Sequence, residues 1–303
     1  MSALNFLISK TIMHVPGPVV SIFAKSYIAG QKLSDAVKVT RDFNKNGIMT
    51  TIDLLGEFIK TKDQAKYFKG RCVEILDTIN KEKLDSNLSI KPTQMGLSLD
   101  EDFALENIRE IVAYAASINN FVRVDMEDTP NTDKTLKLHA ELKQEFGKSV
   151  GTVLQSYLRR TPADIDNLDS KDLNIRLCKG IYNEPREDAY KDPYIVNQNF
   201  IHCLDKLFAK GAYVGIATHD EKLIFESLRL IEKYNLKRED YEFQMLLGVD
   251  EQLRKIIAEE GHRLRVYVPF GKDWLPYSKR RLKENPKIAT HALRQMFGIH
   301  GHN

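Results

Sequence analysis

The most constraining feature of this sequence is a regular alternation of short β-prone runs with helical patterns. The starts of the runs lie 22 to 39 residues apart. The eight runs are Met49–Asp53, Asn87–Lys91, Phe121–Asp125, Thr152–Ser156, Asn174–Lys179, Tyr213–Ala217, Glu242–Leu246 and Leu264–Val268. Strand, helix, strand in repetition implies parallel pairing through crossover helices. Eight units in about 250 residues match an α/β fold of the closed (βα)8 TIM-type barrel class better than an open doubly wound sheet, which remains the alternative.

Helix-end signals between the runs support this interpretation. The sequence Ser98-Leu-Asp-Glu101 has the form of a capping box, with Ser98 as the N-cap. Asp220 and Asp250 each precede a helical pattern and are predicted N-caps. Gly147 follows the pattern that runs through Leu142 and is predicted to end that helix.

The pattern also divides the chain. Residues 1–46 precede the first run and are predicted to be an N-terminal helical extension. Residues 47–303 are predicted to form the barrel. A hydrophobic content of 42% and a charged content of 29% are ordinary for a globular protein of this length and supply a sizeable core.

Composition argues against several classes of protein. The net charge of +3 gives no global electrostatic case for binding nucleic acid. Three scattered cysteines form no Cys-x-x-Cys pair, so a disulfide framework or a structural zinc site is not expected. The weakly polar stretch Val15–Ala24 is too short to span a bilayer, and no secretory leader is apparent. We therefore expect a cytoplasmic protein.

Familiar cofactor and metal motifs are missing. The chain has no Gly-x-Gly-x-x-Gly and no His-Glu-x-x-His. Gly147-Lys-Ser149 resembles the end of a P-loop, but Leu142 stands where its first glycine should be. No metal site is predicted.

Polar residues concentrate where the predicted strands end. In a barrel of this type the active site lies at the carboxyl ends of the strands. The residues there include Glu57, Lys91, Asp125, Glu127, Gln155, Arg176, Lys179, Tyr182, His219 and Tyr267. Inward-pointing charges need partners or ligands to offset desolvation, so this convergence predicts a site at the barrel mouth.

A helix after the last strand adds a cluster of cations. Residues three and four apart share a helix face, so Tyr277 lies on one face with Arg280 and Arg281. Two guanidiniums and a phenol that project together can clamp a small carboxylate. The alternative is a solvated basic helix end.

Several motifs together resemble the proline dehydrogenases. The segment Arg176-Leu-Cys-Lys-Gly-Ile-Tyr182 is similar to the Arg-Leu-Val-Lys-Gly-Ala-Tyr segment of that family. The other similar segments, in family order, are Asp53-Leu-Leu-Gly-Glu57, Val124-Asp-Met-Glu127, Leu154-Gln-Ser-Tyr157, Ala217-Thr-His-Asp220, Phe243-Gln-Met-Leu246 and the helix Tyr277-x-x-Arg280-Arg281. The resemblance covers roughly residues 49–285, and the length is similar to that of the monofunctional bacterial enzymes.

The resemblance implies a (βα)8 barrel that binds FAD, with a last helix over the barrel mouth. It implies oxidation of L-proline to Δ1-pyrroline-5-carboxylate by hydride transfer to flavin N5, the first step of proline degradation to glutamate. The electrons would pass to a quinone, with peripheral contact at the inner face of the membrane.

The resemblance also assigns roles to residues. Asp125 and Arg176 match catalytic positions, and Glu57 would pair with Arg280 as part of a lid. The positions that would bind the substrate are Lys91, Tyr182, Tyr267, Tyr277, Arg280 and Arg281. The positions that would contact the flavin are Met126, Gln155, Arg176, Lys179, Gly180, Ile181, Thr218 and His219.

Alternatives remain open at this point. A structural ion pair in the barrel mouth is the alternative role for Asp125 and Lys91. Tyr267 favours proline, because the resemblance associates a smaller residue there with a hydroxyproline dehydrogenase. A flavin-free barrel lyase using Lys91 or Lys179 as a Schiff base is a second function. A non-catalytic carboxylate-binding or membrane-surface module built on the basic last helix is a third.

Overall fold

Eight parallel strands close into a barrel in the order β1 to β8, each paired with its neighbours in the chain and β8 with β1. The computed structural model describes residues 20, 24, 26–56, 59–275 and 277–279. The strands are β1 Met49–Leu54, β2 Ser86–Ile90, β3 Val122–Val124, β4 Val150–Gln155, β5 Asn174–Cys178, β6 Tyr213–Ala217, β7 Tyr241–Leu246 and β8 Leu264–Phe270. The predicted barrel is confirmed, and each strand begins within two residues of its predicted start.

Helix α1 precedes β1, and helices α2 to α8 connect consecutive strands. They are α1 Leu33–Asn44, α2 Lys62–Lys81, α3 Glu101–Ser117, α4 Thr129–Phe146, α5 Thr161–Asn167, α6 Pro193–Ala209, α7 Glu221–Lys233 and α8 Glu251–Glu259. After β8, residues 274, 275 and 277–279 are helical, and the rest of the predicted last helix lies outside the described residues. No helix within the described ranges is long and apolar enough to cross a bilayer.

Side-chain caps fix the starts of several helices. The carboxylates of Asp220 and Asp250 accept hydrogen bonds from the backbone N–H groups of Lys222 and Leu253, which confirms both predicted N-caps. Helix α4 ends at Phe146, before Gly147 with its positive φ of 53°. The capping box predicted at Ser98 is wrong, because the N-cap of α3 is Asp100, which accepts from Phe103 N.

The two faces of the barrel strands carry different chemistry. Ile52, Leu88, Val124 and Val266 belong to the large apolar core. On each strand, the residues next to these point to the opposite face of the sheet, since side chains alternate along a strand. Buried polar residues fill those alternate positions, among them Asp53, Ser89, Arg123, Arg176, Glu242, Gln244 and Arg265. The barrel interior is therefore polar and requires paired charges and hydrogen bonds to be stable.

The segment before α1 lies against the carboxyl end of β8. Ala29 N donates to Pro269 O at 2.9 Å, and Gly271 N donates to Gly30 O at 3.0 Å. At Gly248, after β7, an added Cβ would stand 1.8 Å from Ser26 O. Glycine at this position therefore permits the N-terminal segment to cross beside the barrel mouth.

Candidate active site

Asp125 is the centre of the polar cluster at the barrel mouth. It follows β3 directly, and its Oδ1 accepts hydrogen bonds from Ser89 Oγ at 2.7 Å and Arg176 Nη1 at 2.8 Å. Its Oδ2 accepts a hydrogen bond from Tyr267 OH at 3.0 Å. One carboxylate thus joins residues of β2, β5 and β8, so its position is fixed by three donors.

Lys91 provides a second cation beside this carboxylate. Its Nζ lies 2.8 Å from Asp53 Oδ1 and 3.8 Å from Asp125 Oδ2. Burial by itself would lower the pKa of Lys91, but the carboxylates of Asp53 and Asp125 raise it well above its usual range. The ammonium form is therefore the form present at neutral pH.

Arg176 is held on β5 by contacts from several sides. Its Nε donates to Gln244 Oε1 at 2.6 Å, in addition to the contact of Nη1 with Asp125. The guanidinium carbon lies 5.1 Å from the centre of the Tyr267 ring, a cation–π distance. Two cations and two carboxylates, Lys91 and Arg176 with Asp53 and Asp125, thus balance one another, and the binding of an anion here calls for further cations.

Tyr267 completes this cluster. Burial, together with the carboxylates of Asp125 and Asp53, raises the pKa of Tyr267 well above its usual range. The phenol consequently remains protonated and acts as a hydrogen-bond donor to Asp125. Lys91, Asp125, Arg176 and Tyr267, which the sequence placed at four separate strand ends, form one contiguous group.

The end of β4 presents an unsatisfied acceptor. Gln155 Nε2 donates to the carbonyl oxygens of Met126 at 3.3 Å and Glu127 at 3.4 Å. Its other side-chain atom, Oε1, is buried without a hydrogen-bond partner. A buried acceptor of this kind carries a desolvation cost unless a donor is supplied by a ligand or by water.

The residues after β5 form the next part of the rim. Lys179 Nζ donates to Asp220 Oδ2 at 2.7 Å, so this lysine is bound to the loop after β6. Gly180 has φ +111°, and a Cβ there would stand 2.1 Å from the Tyr157 ring. Ile181 and Tyr182 follow and are half-buried. Only glycine permits this course of the main chain.

Two predicted residues lie in the loop after β6. Thr218 Oγ1 accepts from Asp220 N at 3.1 Å, which shapes the turn. His219 Nε2 accepts from Leu246 N at 2.8 Å, so this ring nitrogen carries no proton. The histidine is therefore held to the end of β7 through one nitrogen.

Tyr277 lies in a separate apolar cluster. Its buried neighbours there are Ala24, Tyr27, Ile28 and Leu55, with Trp274 partly buried beside them. The last helix thus packs against the N-terminal segment and the end of β1. Glu57, Arg280 and Arg281, which the sequence assigned to a lid and a carboxylate clamp, lie outside the described residues.

Four residues of the polar cluster were not among the predicted site residues. Asp53 binds Lys91, and Ser89 binds Asp125. Gln244 binds Arg176, and Glu242 binds Gln244. A signal for three of them exists in the sequence. Ser89 lies two residues from Lys91, and Glu242 and Gln244 lie two residues apart, at the strand spacing that places side chains on one face.

Within the described part of the chain, no group of three or more His, Cys, Asp or Glu side chains could hold a metal ion. The chemistry available from the residues themselves is that of hydrogen bonds and charges. Redox chemistry at this site would require a bound cofactor, because hydrogen bonds and fixed charges supply no electron acceptor.

Comparison with known proteins gives consistent matches. The family model for proline dehydrogenase matches residues 36–294. Proline dehydrogenase 1 of Bacillus subtilis (strain 168) is 36% identical over 271 residues, which are 89% of each chain. Proline dehydrogenase of Deinococcus radiodurans is 36% identical over 277 residues, 90% of this chain and 89% of that protein.

A solved structure shows the same fold. Proline utilization A (PutA) from Bdellovibrio bacteriovorus, inactivated by N-propargylglycine, superimposes with a TM-score of 0.81 at 25% identity. The match covers 92% of this chain and 34% of that longer chain. The likeness therefore concerns one part of a larger protein.

Proposed function

Because the chain belongs to the proline dehydrogenase family, we propose that it binds FAD and oxidises L-proline to Δ1-pyrroline-5-carboxylate, with the electrons passing on to a quinone. Residues 47–303 would form the catalytic barrel and residues 1–46 an N-terminal extension. The same proposal includes peripheral contact with the inner face of the membrane, where the protein would reach its quinone acceptor.

The observation that carries this proposal is the group around Asp125. Arg176 and Tyr267 both donate to its carboxylate, and Lys91 lies 3.8 Å away. A fixed group of this kind can hold a small cyclic substrate against a flat cofactor in one orientation, which accelerates transfer between them. Asp125 orders both cations, and Tyr267 would border the substrate ring.

The residues at the mouth fit a flavin. The isoalloxazine ring offers an N–H donor for the unsatisfied Oε1 of Gln155. The residues that would hold FAD are Met126, Gln155, Arg176, Lys179, Gly180, Ile181, Thr218 and His219. When bound, FAD supplies the acceptor for the hydride from the ring carbon next to the proline nitrogen. The cation of Arg176 favours negative charge nearby and would raise the midpoint potential of the cofactor.

The carboxylate of proline would be bound by Arg280 and Arg281, with Tyr182 and Tyr277 beside the ring and Glu57 paired with Arg280 in a lid. The balance of charges among Lys91, Arg176, Asp53 and Asp125 supports this assignment, because an anionic substrate then needs additional cations. Arg280 and Arg281, which helix spacing would place on the face of Tyr277, would meet that need.

The alternative functions have less support. A Schiff-base lyase needs a lysine that loses its proton readily, whereas neighbouring carboxylates raise the pKa of Lys91. Lys179 is engaged with Asp220. A hydroxyproline dehydrogenase would have to accommodate a ring hydroxyl beside Tyr267, whose own hydroxyl is bound to Asp125.

The decisive experiment is a visible spectrum before and after L-proline is added without oxygen. We expect flavin absorbance at about 450 nm that bleaches with L-proline and not with D-proline. A colourless protein that takes up no FAD would refute the proposal. Borohydride trapping of a keto acid on lysine would support the lyase instead.

The carboxylate assignment has its own test. Arg281→Met is expected to raise the KM for proline by at least ~10-fold with flavin still bound, because a charge-assisted contact is lost. Lys279→Met, a change of charge on the same segment, is the matched control. An unchanged KM in Arg281→Met would remove the assignment of Arg281.

A further inference from the structure

We propose that Gln244 is a positioning residue for Arg176, and that the Glu242–Arg265 ion pair in turn orients Gln244. This inference rests on the proposed function, in which Arg176 acts beside the flavin. This relay of Gln244, Glu242 and Arg265 lies inside the barrel on β7 and β8, where Gln244 stands beside Arg265 in the strand register.

The side-chain amide of Gln244 connects two charged groups. Its Oε1 accepts from Arg176 Nε at 2.6 Å, and its Nε2 donates to Glu242 Oε1 at 2.6 Å. The amide is buried. An amide that accepts at one end and donates at the other transmits orientation from the carboxylate to the guanidinium.

Glu242 can act only as an acceptor here. Its carboxylate accepts from Arg265 Nε at 2.7 Å, Arg265 Nη2 at 3.1 Å and Tyr213 OH at 2.8 Å, in addition to Gln244. Burial alone would raise the pKa of Glu242, but these partners, Arg265 foremost, lower it to about 2. An ionised carboxylate requires the NH2 end of Gln244, so the carbonyl end must face Arg176.

The room for this amide is provided by a glycine. Gly215 on β6 stands beside Glu242 in the strand register. A Cβ at Gly215 would lie 2.4 Å from Gln244 Nε2 and 2.8 Å from its side-chain carbonyl carbon. Because its backbone φ is not positive, alanine fits there conformationally, and the cost is the displacement of Gln244.

Arg176 is thus held from two directions. Asp125 binds Nη1, and Gln244 binds Nε. Two bonds at different nitrogens fix the plane of a guanidinium, whereas one bond leaves it free to turn about the contact. The relay therefore sets where the charge of Arg176 is placed in the mouth.

The first test compares Gln244→Met with the parent enzyme. Methionine keeps the length of the side chain and removes both hydrogen bonds. We expect kcat to fall ~10-fold with the KM for proline changed less than ~2-fold, because a group that acts on the reacting atoms is misplaced. We also expect Gln244→Met to bind the reduced flavin about tenfold less favourably relative to the oxidised flavin. This change lowers the flavin midpoint potential by about 30 mV.

The matched control is Thr51→Val. Thr51 is buried in the barrel, and its Oγ1 bonds to Asn87 Oδ1 at 2.6 Å, away from Arg176. This variant loses a part-buried hydrogen bond inside the barrel but should keep the parental kcat and potential. If Gln244→Met also keeps both values, the relay is refuted.

The second test needs no flavin and no turnover. In the flavin-free full-length protein, the thermal midpoints of Gln244→Met, Arg176→Met and the double variant are compared. We expect the double variant to lose no more than the more damaging single change. Additive losses would refute the relay even if proline oxidation is confirmed, and coupled losses would support it even if proline is not the substrate.

Gly215→Ala provides an independent approach. It removes no polar atom of the relay and only displaces the amide of Gln244. We expect it to reproduce the lower kcat and potential of Gln244→Met in the flavin-loaded enzyme and to couple with Arg176→Met in the flavin-free protein. A parental kcat in Gly215→Ala, together with thermal losses that simply add to those of Arg176→Met, would contradict the proposed geometry.

Discussion

Tyr267 donates a 3.0 Å hydrogen bond to Asp125 across the mouth of the barrel. The two residues belong to β8 and to the end of β3, which are not neighbours in the sheet. The same phenol ring lies under the guanidinium of Arg176. This contact therefore closes the polar cluster across the barrel mouth and helps to fix the positions of Asp125 and Arg176.

Removing only the hydroxyl tests that contact. Tyr267→Phe keeps the ring under Arg176 and leaves Asp125 with one donor fewer. We expect kcat/KM for proline to fall about tenfold, since a hydrogen bond to a charged group is worth about 1.5–3 kcal/mol. Steady-state kinetics with a dye acceptor measure the effect. Tyr234→Phe, which loses a hydrogen bond to Asp205 outside the barrel, should retain parental kinetics.

Asp53 is expected to matter mainly for stability. Its carboxylate is the close partner of the buried Lys91, at 2.8 Å. Asp53→Asn leaves that ammonium with a weaker partner, and breaking a buried ion pair costs about 3 kcal/mol. Urea unfolding followed by circular dichroism would measure the loss.

The control for Asp53 is an exposed pair with the same distance. Asp42 Oδ1 also lies 2.8 Å from a lysine, Lys45, but both side chains are exposed. Asp42→Asn should leave the urea midpoint unchanged, because solvent screens such pairs. Equal losses in the two variants would show that Asp53 and Lys91 are not a buried pair.

The lowered pKa of Glu242 predicts that the free energy of unfolding falls in acid. Its pKa is about 2 in the folded protein, below its usual value of 4.5. A lowered folded pKa stabilises the protein above about pH 4.5, and the contribution is lost as the pH falls towards about 2. About 2 kcal/mol of it should disappear between about pH 5 and about pH 3.

Urea unfolding at these two pH values tests the assignment. Glu242→Gln has no charge to lose and should show a smaller drop in the free energy of unfolding between them than the parent. Glu226→Gln, on an exposed surface pair with Arg229, should lose as much stability as the parent does. A parental drop in Glu242→Gln would place the acid sensitivity elsewhere.

The strands and several helix starts were predictable because their signals are local. Asp220 and Asp250 each bond to an N–H two or three residues ahead, so spacing alone identifies them. At Ser98 the same reasoning failed. Gly96 O accepts hydrogen bonds from both Leu99 N and Asp100 N, so the chain still forms a turn at Ser98. The helix therefore begins later, with Asp100 as its N-cap.

The interior of the site was less predictable because its contacts are distant in sequence. Arg176 and Gln244 are 68 residues apart, and Asp125 and Tyr267 are 142 apart. The order of polar residues at strand ends located the mouth and four members of its cluster. Which amide orients which guanidinium depends on strand register around a closed barrel, and one sequence does not specify that.

The crossing of the N-terminal segment over Gly248 gives a last prediction. Gly248 has φ +69°, and a Cβ there would lie 1.8 Å from Ser26 O. Gly47 has the same φ, with nothing within 4 Å of an added Cβ. Gly248→Ala and Gly47→Ala therefore share the backbone strain of about 1 kcal/mol and differ only in the clash with the N-terminal segment.

We expect Gly248→Ala to lower the thermal midpoint more than Gly47→Ala and to expose residues near 26–30 to limited proteolysis. Since Tyr27 and Tyr277 share one apolar cluster, the displaced segment should also loosen the last helix and raise the KM for proline. Equal thermal losses and equal proteolysis in the two variants would show that the crossing does not constrain the segment.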